Sequence, residues 1–329
     1  MYSDMFHKNK MKRIFKKKIL KKEWVQTQTL KGHTGCINSL NFNASNQIFA
    51  TASEDKTVRL WDSTTFKTVS LLKEHSSQIK FAFFSQKYPH IFSGGDDLII
   101  RCWDIEYNKT LRKFHGHLGT VLNLTFHPIL DVFFSCSRDN TIRIWDPRTQ
   151  KEIQILRVNS KAITCMIANA ETPHLITGSF DKKICLWDFV SGKFYRIIKT
   201  HKNGIKQLSK HPTNYSFLSL SSESLISWRK DGLILNKIQN KSNSNNCFSV
   251  NNKKQVALGF SQDRIKSFYL KKKKNEIMLL TKPKSLLSGT NKNILNLTFD
   301  FSNKKIFAAG EENDIKIFEK KWQTRYLFS

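Results

Sequence analysis

"SEDKTVRLWD" (Ser53–Asp62) returns three times at a spacing of 42 residues, as "GDDLIIRCWD" (Gly95–Asp104), "SRDNTIRIWD" (Ser137–Asp146) and "SFDKKICLWD" (Ser179–Asp188). Each copy opens on a turn rich in Asp and Asn and runs into a short β-branched stretch ending in Trp-Asp, which reads as a tight turn feeding a strand. Upstream of each turn lie two further apolar stretches, for example "VLNLTF" (Val121–Phe126) and "DVFFSC" (Asp131–Cys136). Ile37, Ile79, Val121, Ile163 and Ile205 keep the same spacing. So do His33, His75 and His117; Asn159 stands in the fourth place and His201 resumes the series. A period near 42 with a His start and a Trp-Asp end specifies a four-stranded propeller blade.

The second half keeps the frame with altered letters. His201, Glu223 and Trp228 mark a fifth unit with a turn one residue shorter; Asp263 and Phe268 mark a sixth, and Glu312 and Phe318 a seventh. The seventh runs out after its third strand. "WVQTQTL" (Trp24–Leu30) precedes the first unit and reads as a strand. It is expected to supply the missing outer strand and so close the ring, because closure leaves only short protected edges. The expectation is an all-β chain: a basic tail at 1–23, a seven-bladed propeller at 24–320 and a short tail at 321–329.

Lys and Arg number 55 against 26 acids in 329 residues, a net charge of +29. The charge is concentrated at the two ends. Residues 23–198 carry 21 basic and 16 acidic groups, whereas 199–329 carry 25 and 9. A basic end is an electrostatic footprint for nucleic acid or an acidic partner. Abundant Lys, Asn, Ile and Phe also follow from an AT-rich genome, so both readings stand. Apolar residues at 39% suffice for a core and argue against disorder throughout. No apolar run is long enough for a membrane helix, and no signal-peptide block is expected. Six scattered cysteines without a CxxC pair exclude a zinc ribbon and point to a reducing compartment.

The repeated polar residues suggest a chain of hydrogen bonds within each blade, in which the Trp N–H donates to a hydroxyl, the hydroxyl serves an imidazole and the turn Asp accepts from the other ring nitrogen. The residues assigned are His33, Ser53, Asp55 and Trp61; His75, Asp97 and Trp103, with Gly95 where a hydroxyl is due; His117, Ser137, Asp139 and Trp145; and Ser179, Asp181 and Trp187. A Ser–His–Asp set also suits a hydrolase, but a catalytic triad is needed once and this one recurs. His115 beside His117 is an exposed neighbour rather than half of a metal pair. No phosphate loop, nucleophile elbow, zincin helix or dinucleotide motif is present. No enzyme activity, cofactor, metal or small-molecule ligand is therefore expected.

The repeat resembles the WD-repeat propeller family from Trp24 to Phe318. Ile91–Leu156, with "SGGDD", "CWD", "FHGHLG", "HPILDV", "SRD" and "WDPRT", is similar to the second and third blades of the pleiotropic regulator proteins, nuclear spliceosome components associated with the nineteen complex. The short fifth turn "SSESLISW" fits that family too. The resemblance implies a scaffold in pre-mRNA splicing, located in the nucleus, with the Myb-like factor of that complex and the large central spliceosomal protein as partners. Family members carry a longer N-terminal extension, and the later blades match weakly. The trimmed, AT-biased chain suits a reduced genome, such as the relict nucleus of an endosymbiont. Trp145-Asp146-Pro147-Arg148 also matches the WDxR pattern of substrate receptors for cullin-type ubiquitin ligases, and a basic ribosome-assembly propeller is a third reading.

Partner binding is expected on the face where the loops between blades meet the turns after the second strands. Thr34, Gly35, Ser76, Ser77, Leu118, Lys161 and Lys202 come from the loops, and Glu54, Asp96, Arg138 and Phe180 from the turns. Arg138 and Phe180 are of the Arg-plus-aromatic type that anchors interfaces. Lys12, Arg13, Lys16, Lys17, Lys18, Lys21 and Lys22 form a run dense enough for nuclear import or RNA backbone contact; the interleaved Met11, Ile14, Phe15, Ile19 and Leu20 leave a membrane-surface helix as an alternative. "LKKKK" (Leu270–Lys274) and "QNKSNSNN" (Gln239–Asn246) read as polar loops, the first able to touch phosphates.

Overall fold

The computed structural model describes residues 17–157, 161–169, 174–210, 216–229, 231–239, 245–251, 253, 255–261, 265–273, 276–286, 292–300 and 302–327; for 17–23, 268–286 and 322–327 it describes the backbone alone. These form 28 strands in seven four-stranded antiparallel sheets, with no helix among them. Blade one has strands Ile37–Phe42, Ile48–Ser53, Val58–Asp62 and Thr68–Leu72, here called a to d from the axis outward. The next five blades repeat this order, and the expected seven-bladed propeller is what the chain adopts.

The seventh sheet is composite. Its outermost strand is Lys17–Leu30, paired with Ile315–Leu327. The closing strand is thus present as the sequence implied, but it is longer. It begins seven residues before Trp24, and its partner runs on to Leu327, so the stretches assigned to terminal tails at 17–23 and 321–327 are paired strand. Lys17, Lys18, Lys21 and Lys22 therefore sit in a sheet rather than in a free basic run or a surface helix. Lys12, Arg13 and Lys16 lie outside the described residues. So do Asn159, Asp263, Lys274 and residues 240–244. Lys271–Lys273 extend a hairpin strand instead of forming a loop, with Lys273 opposite Glu276, and Asn245 and Asn246 open a strand.

Seven apolar clusters hold the ring together, one in each gap between neighbouring blades. Ala50, Val58 and Leu60 of blade one pack on Ile79, Ile91 and Trp103 of blade two. Phe81, Phe92 and Ile100 of blade two pack on Val121, Phe133 and Trp145 of blade three. The repeated Trp thus plugs the seam with the preceding blade. The last seam joins Ile37, Phe49 and Trp61 to Phe307, Ile315 and Ile317, and Trp24 packs into the cluster between blades six and seven. Burying a side chain of this size stabilises by about 1.5–3 kcal/mol.

Strand a carries a further device. In every blade its pairing with strand b slips by one residue after the first position. Such a bulge leaves one residue unpaired and re-aims its side chain. The residues involved are Asn38, Lys80, Leu122, Thr164, Lys206, Asn246 and Leu295, all of which line an axial channel of about 400 Å³. Several stitch one blade to the next. Asn38 Nδ2 donates to Ile79 O at 2.8 Å, Thr164 Oγ1 to Ile205 O at 2.6 Å, and Lys206 Nζ to Asn245 O at 2.8 Å.

Candidate functional site

The His–Asp arrangement recurs in blades one to three, with one correction. His33 Nδ1–H donates to Asp55 Oδ2 at 2.7 Å, but the hydroxyl on Nε2 is Thr51, at 2.7 Å, and Trp61 Nε1–H donates to the same oxygen at 2.9 Å. The corresponding hydroxyls are Ser93, Ser135, Thr177 and Ser219. Thr51, Ser93, Ser135 and Thr177 lie two residues before Ser53, Gly95, Ser137 and Ser179. Residues i and i+2 share a face of a strand, so composition alone did not separate them. Register does: Phe49 lies opposite Trp61 and Thr51 opposite Arg59, which puts the indole N–H over Thr51. Blade two is consequently complete. His75 bridges Asp97 at 2.7 Å and Ser93 at 2.7 Å. In blade three His117 meets Asp139 at 2.8 Å and Ser135 at 2.7 Å.

The displaced serines do something else. Ser53 Oγ–H donates to Gly35 O at 3.0 Å and accepts from Asp55 N. Ser137 holds Gly119 O at 2.8 Å, and Ser179 holds Lys161 O at 3.0 Å. They staple the b–c turn to the interblade loop. In blade two a Cβ added at Gly95 would lie 2.0 Å from Gln78 O, so the backbones meet there directly and no serine fits.

In blade four Asp181 pairs with Lys183 at 3.1 Å. In blade five Ser224 Oγ stands 3.3 Å from His201 Nδ1 where the others have an Asp, and Glu223 instead accepts from Asn203 at 2.7 Å.

Electrostatics within these chains is one-sided. Burial opposes ionisation of Asp55, but hydrogen bonds from His33 and Thr57 override it and hold the carboxyl well below its ordinary range. Asp139 is held down in the same way by His117 and Thr141, and Asp97 by His75 and Arg101. Among the described residues no acid pairs with the His201 ring, and burial, helped by Lys237, pushes it down to about 4. The hydroxyls of Ser93 and Ser135 are fully buried and the histidines nearly so, so this set offers no substrate access.

A folded-state pKa near 4 against an ordinary 6.5 means that the unfolded chain takes up the His201 proton first. The contribution is intact above pH 6.5 and falls by about 3 kcal/mol on the way to pH 4. His75, also lowered by burial, acts in the same direction. Urea unfolding should show a steep loss of stability across this window, and His201→Asn should flatten it. An equal slope in that variant would refute the assignment.

The loop and turn residues expected at the docking face are brought together at one end of the ring. Glu54 N donates to Cys36 O, Asp96 N to Gln78 O, Arg138 N to Thr120 O and Phe180 N to Ala162 O, the same bond in four blades. The face is divided. Lys80 lies 3.8 Å from both Glu54 and Asp96, and burial followed by the charges of Glu54 and Glu311 raises the Cys36 thiol, which marks an acidic arc over blades seven, one and two. Across the opening, Arg138, Lys161 and Lys202 are exposed, with Phe180 63% and Leu118 85% exposed. Thr34 and Ser76 are exposed and Gly35 and Ser77 half-buried. The bridging role of Lys80 had no signal in the sequence, since it depends on the strand-a bulge.

A second concavity, of about 200 Å³, opens at the other end, between blades two and three. Its residues come from the a–b loops of both blades, the c–d loop of blade three and the strand residues His90, Phe92, Arg112 and Phe126, and Arg148 of the WDxR stretch is among them. The signal that would have found it is the apolar pair Ile129-Leu130 in a loop.

The family described as "WD domain, G-beta repeat" matches residues 24–62, 66–104, 108–146 and 150–188. With the geometry above, the chain is a seven-bladed β-propeller carrying WD40 repeats. Each matched stretch begins with the outer strand of one blade and ends on strand c of the next. The sequence repeat is thus offset from the blade, and this offset is what leaves Trp24–Leu30 to complete blade seven. Among curated proteins, the Periodic tryptophan protein 2 homolog of Schizosaccharomyces pombe is similar over 35 residues at 54% identity. That stretch is 11% of this chain and 4% of the yeast protein's length, so the chain spans only a small part of that relative.

Proposed function

We propose that this propeller is a non-catalytic scaffold on which proteins assemble in pre-mRNA splicing, acting in the nucleus. The observation that carries the scaffold reading is the divided end of the ring. Every repeated polar set is closed off as structure, while Arg138, Phe180, Leu118, Lys161 and Lys202 stand exposed on loops held by buried staples. Exposed Arg and aromatic side chains on a rigid base have the chemistry of an interface anchor. The splicing assignment is supported by the blade-two and blade-three text, Ile91 to Leu156. On that resemblance its partners are the Myb-like factor of the nineteen complex and the large central spliceosomal protein, with lysine-rich segments touching RNA backbone.

Affinity purification of the tagged chain tests both levels. Small nuclear RNAs and spliceosomal proteins should co-purify. Recovery of a cullin adaptor, or of ribosomal RNA precursors, would instead support the ligase-receptor or ribosome-assembly reading. Arg138→Ala combined with Phe180→Ala should reduce partner recovery roughly tenfold or more at unchanged melting temperature. Full recovery would remove the divided end as the docking surface.

A further inference from the structure

The concavity between blades two and three lies at the opposite end of the ring from the surface just proposed, and it is built differently. Phe92, Phe126 and Val132 line it, and Tyr88, Leu130 and Pro147 stand at its edges. Tyr88, Ile129 and Leu130 are large apolar side chains left exposed here. One wall is rigid. Lys87 Nζ, from blade two, donates to Ile129 O at 2.9 Å and to Asp131 Oδ1 at 2.7 Å in the blade-three loop. Inside that loop His127 Nδ1 accepts from Ile129 N and from Leu130 N at 2.9 Å. This leaves the ring proton on Nε2, and burial with Lys210 and Lys87 nearby disfavours a second proton.

The charge around the opening is unbalanced. Asp131 is the one carboxylate lining it, and Lys87 occupies it. Arg112 has no ion-pair partner among the described residues. Arg148 is 67% exposed, and its nearest carboxylate oxygen, on Asp146, is 3.6 Å away. Two guanidinium groups thus flank an apolar hole the size of one large side chain. Backbone clamps hold the hole open, so little ordering cost would attend binding.

We propose that this groove is a second docking site, for an extended acidic peptide of a partner protein that inserts one bulky apolar side chain. Its phenyl or isobutyl group would displace water from the pocket between Phe92 and Val132. Carboxylates on either side of it would pair with Arg112 and Arg148, where planar guanidinium groups favour bidentate pairing. The site stands on its own geometry and is independent of the divided end.

The test uses the full chain and a fluorescein-labelled dodecapeptide with one central phenylalanine flanked by aspartates, read by anisotropy. Saturable binding in the micromolar range is expected, with leucine in place of phenylalanine retained and alanine lost. Arg112→Glu and Arg148→Glu should each weaken binding about tenfold or more, and rising salt should weaken it further. Arg138→Ala, at the other end, should leave it unchanged. Thermal melts of each variant confirm folding, and Leu130→Ala supplies a charge-neutral check on the pocket. The proposal is overturned if no peptide saturates, if the alanine or a lysine-flanked version binds equally, or if the two arginine variants bind as the parent does. Displacement by a uridine oligomer with no peptide preference would make the groove an RNA contact and overturn it too.

Discussion

Deletion of residues 1–30 is expected to abolish the single cooperative unfolding transition of the chain. The deleted segment contains the whole outer strand of blade seven, paired from Lys17 opposite Leu327 to Leu30 opposite Ile315. It also carries Trp24 into the cluster shared by blades six and seven, and Leu30 into the cluster shared by blades seven and one. Trp24 sits 6.4 Å from the Phe299 ring and under the Lys320 ammonium. Its loss therefore opens a long sheet edge and loosens both seams of one blade. A ring held by nearest-neighbour seams has no other contact to bridge the gap. The expected loss, on the order of 5–10 kcal/mol, equals the whole stability of a typical domain. Circular dichroism and tryptophan fluorescence should show broad transitions that no longer coincide. A peptide of residues 17–30 added in trans should restore the transition. A sharp, unshifted transition after the longer deletion would show that closure does not depend on this strand.

The second large effect is expected at Asp97. Its carboxylate accepts from His75 and from Arg101, and both partners are buried. Asp97→Ala leaves an uncompensated guanidinium and an imidazole in a site closed to water. Breaking a buried pair in this way costs about 3–5 kcal/mol. Asp181→Ala in blade four is the contrast. Its carboxylate accepts from Lys183 N and pairs with the Lys183 ammonium, which is about a third exposed, so solvent can take over that cation and the cost is expected to stay below that at Asp97. Chemical denaturation of the two variants measures the difference. Equal effects would mean that the repeated Asp does the same job in every blade, which the differing partners argue against.

The two effects rest on different parts of the fold. Closure depends on the ends of the chain meeting, which the missing strand after Phe318 already implied. The Asp97 effect depends on Arg101 turning inward to share the carboxylate with His75. Nothing in "GDDLIIRCWD" separates this from Arg143, whose guanidinium in blade three pairs with Glu152 of the outer strand. Equivalent arginines thus choose different carboxylates according to what strand d offers.

The period of 42, the strand character of each unit, the count of seven and the need for a closing strand are properties of the sequence alone. They follow from spacing, and spacing survives even where the letters of blades five to seven drift. The buried positions were legible for the same reason: Ile37, Ile79, Val121, Ile163 and Ile205 all begin strand a and are all buried. Tertiary structure decided which hydroxyl meets the indole, because a strand presents i and i+2 on one face and only the register with strand c chooses between Thr51 and Ser53. It decided that Lys80 bridges two acids, because a bulge redirects its side chain. It also decided that loops 42 residues apart, around Tyr88 and Leu130, face each other across one apolar hole, because neighbouring blades set equivalent positions side by side.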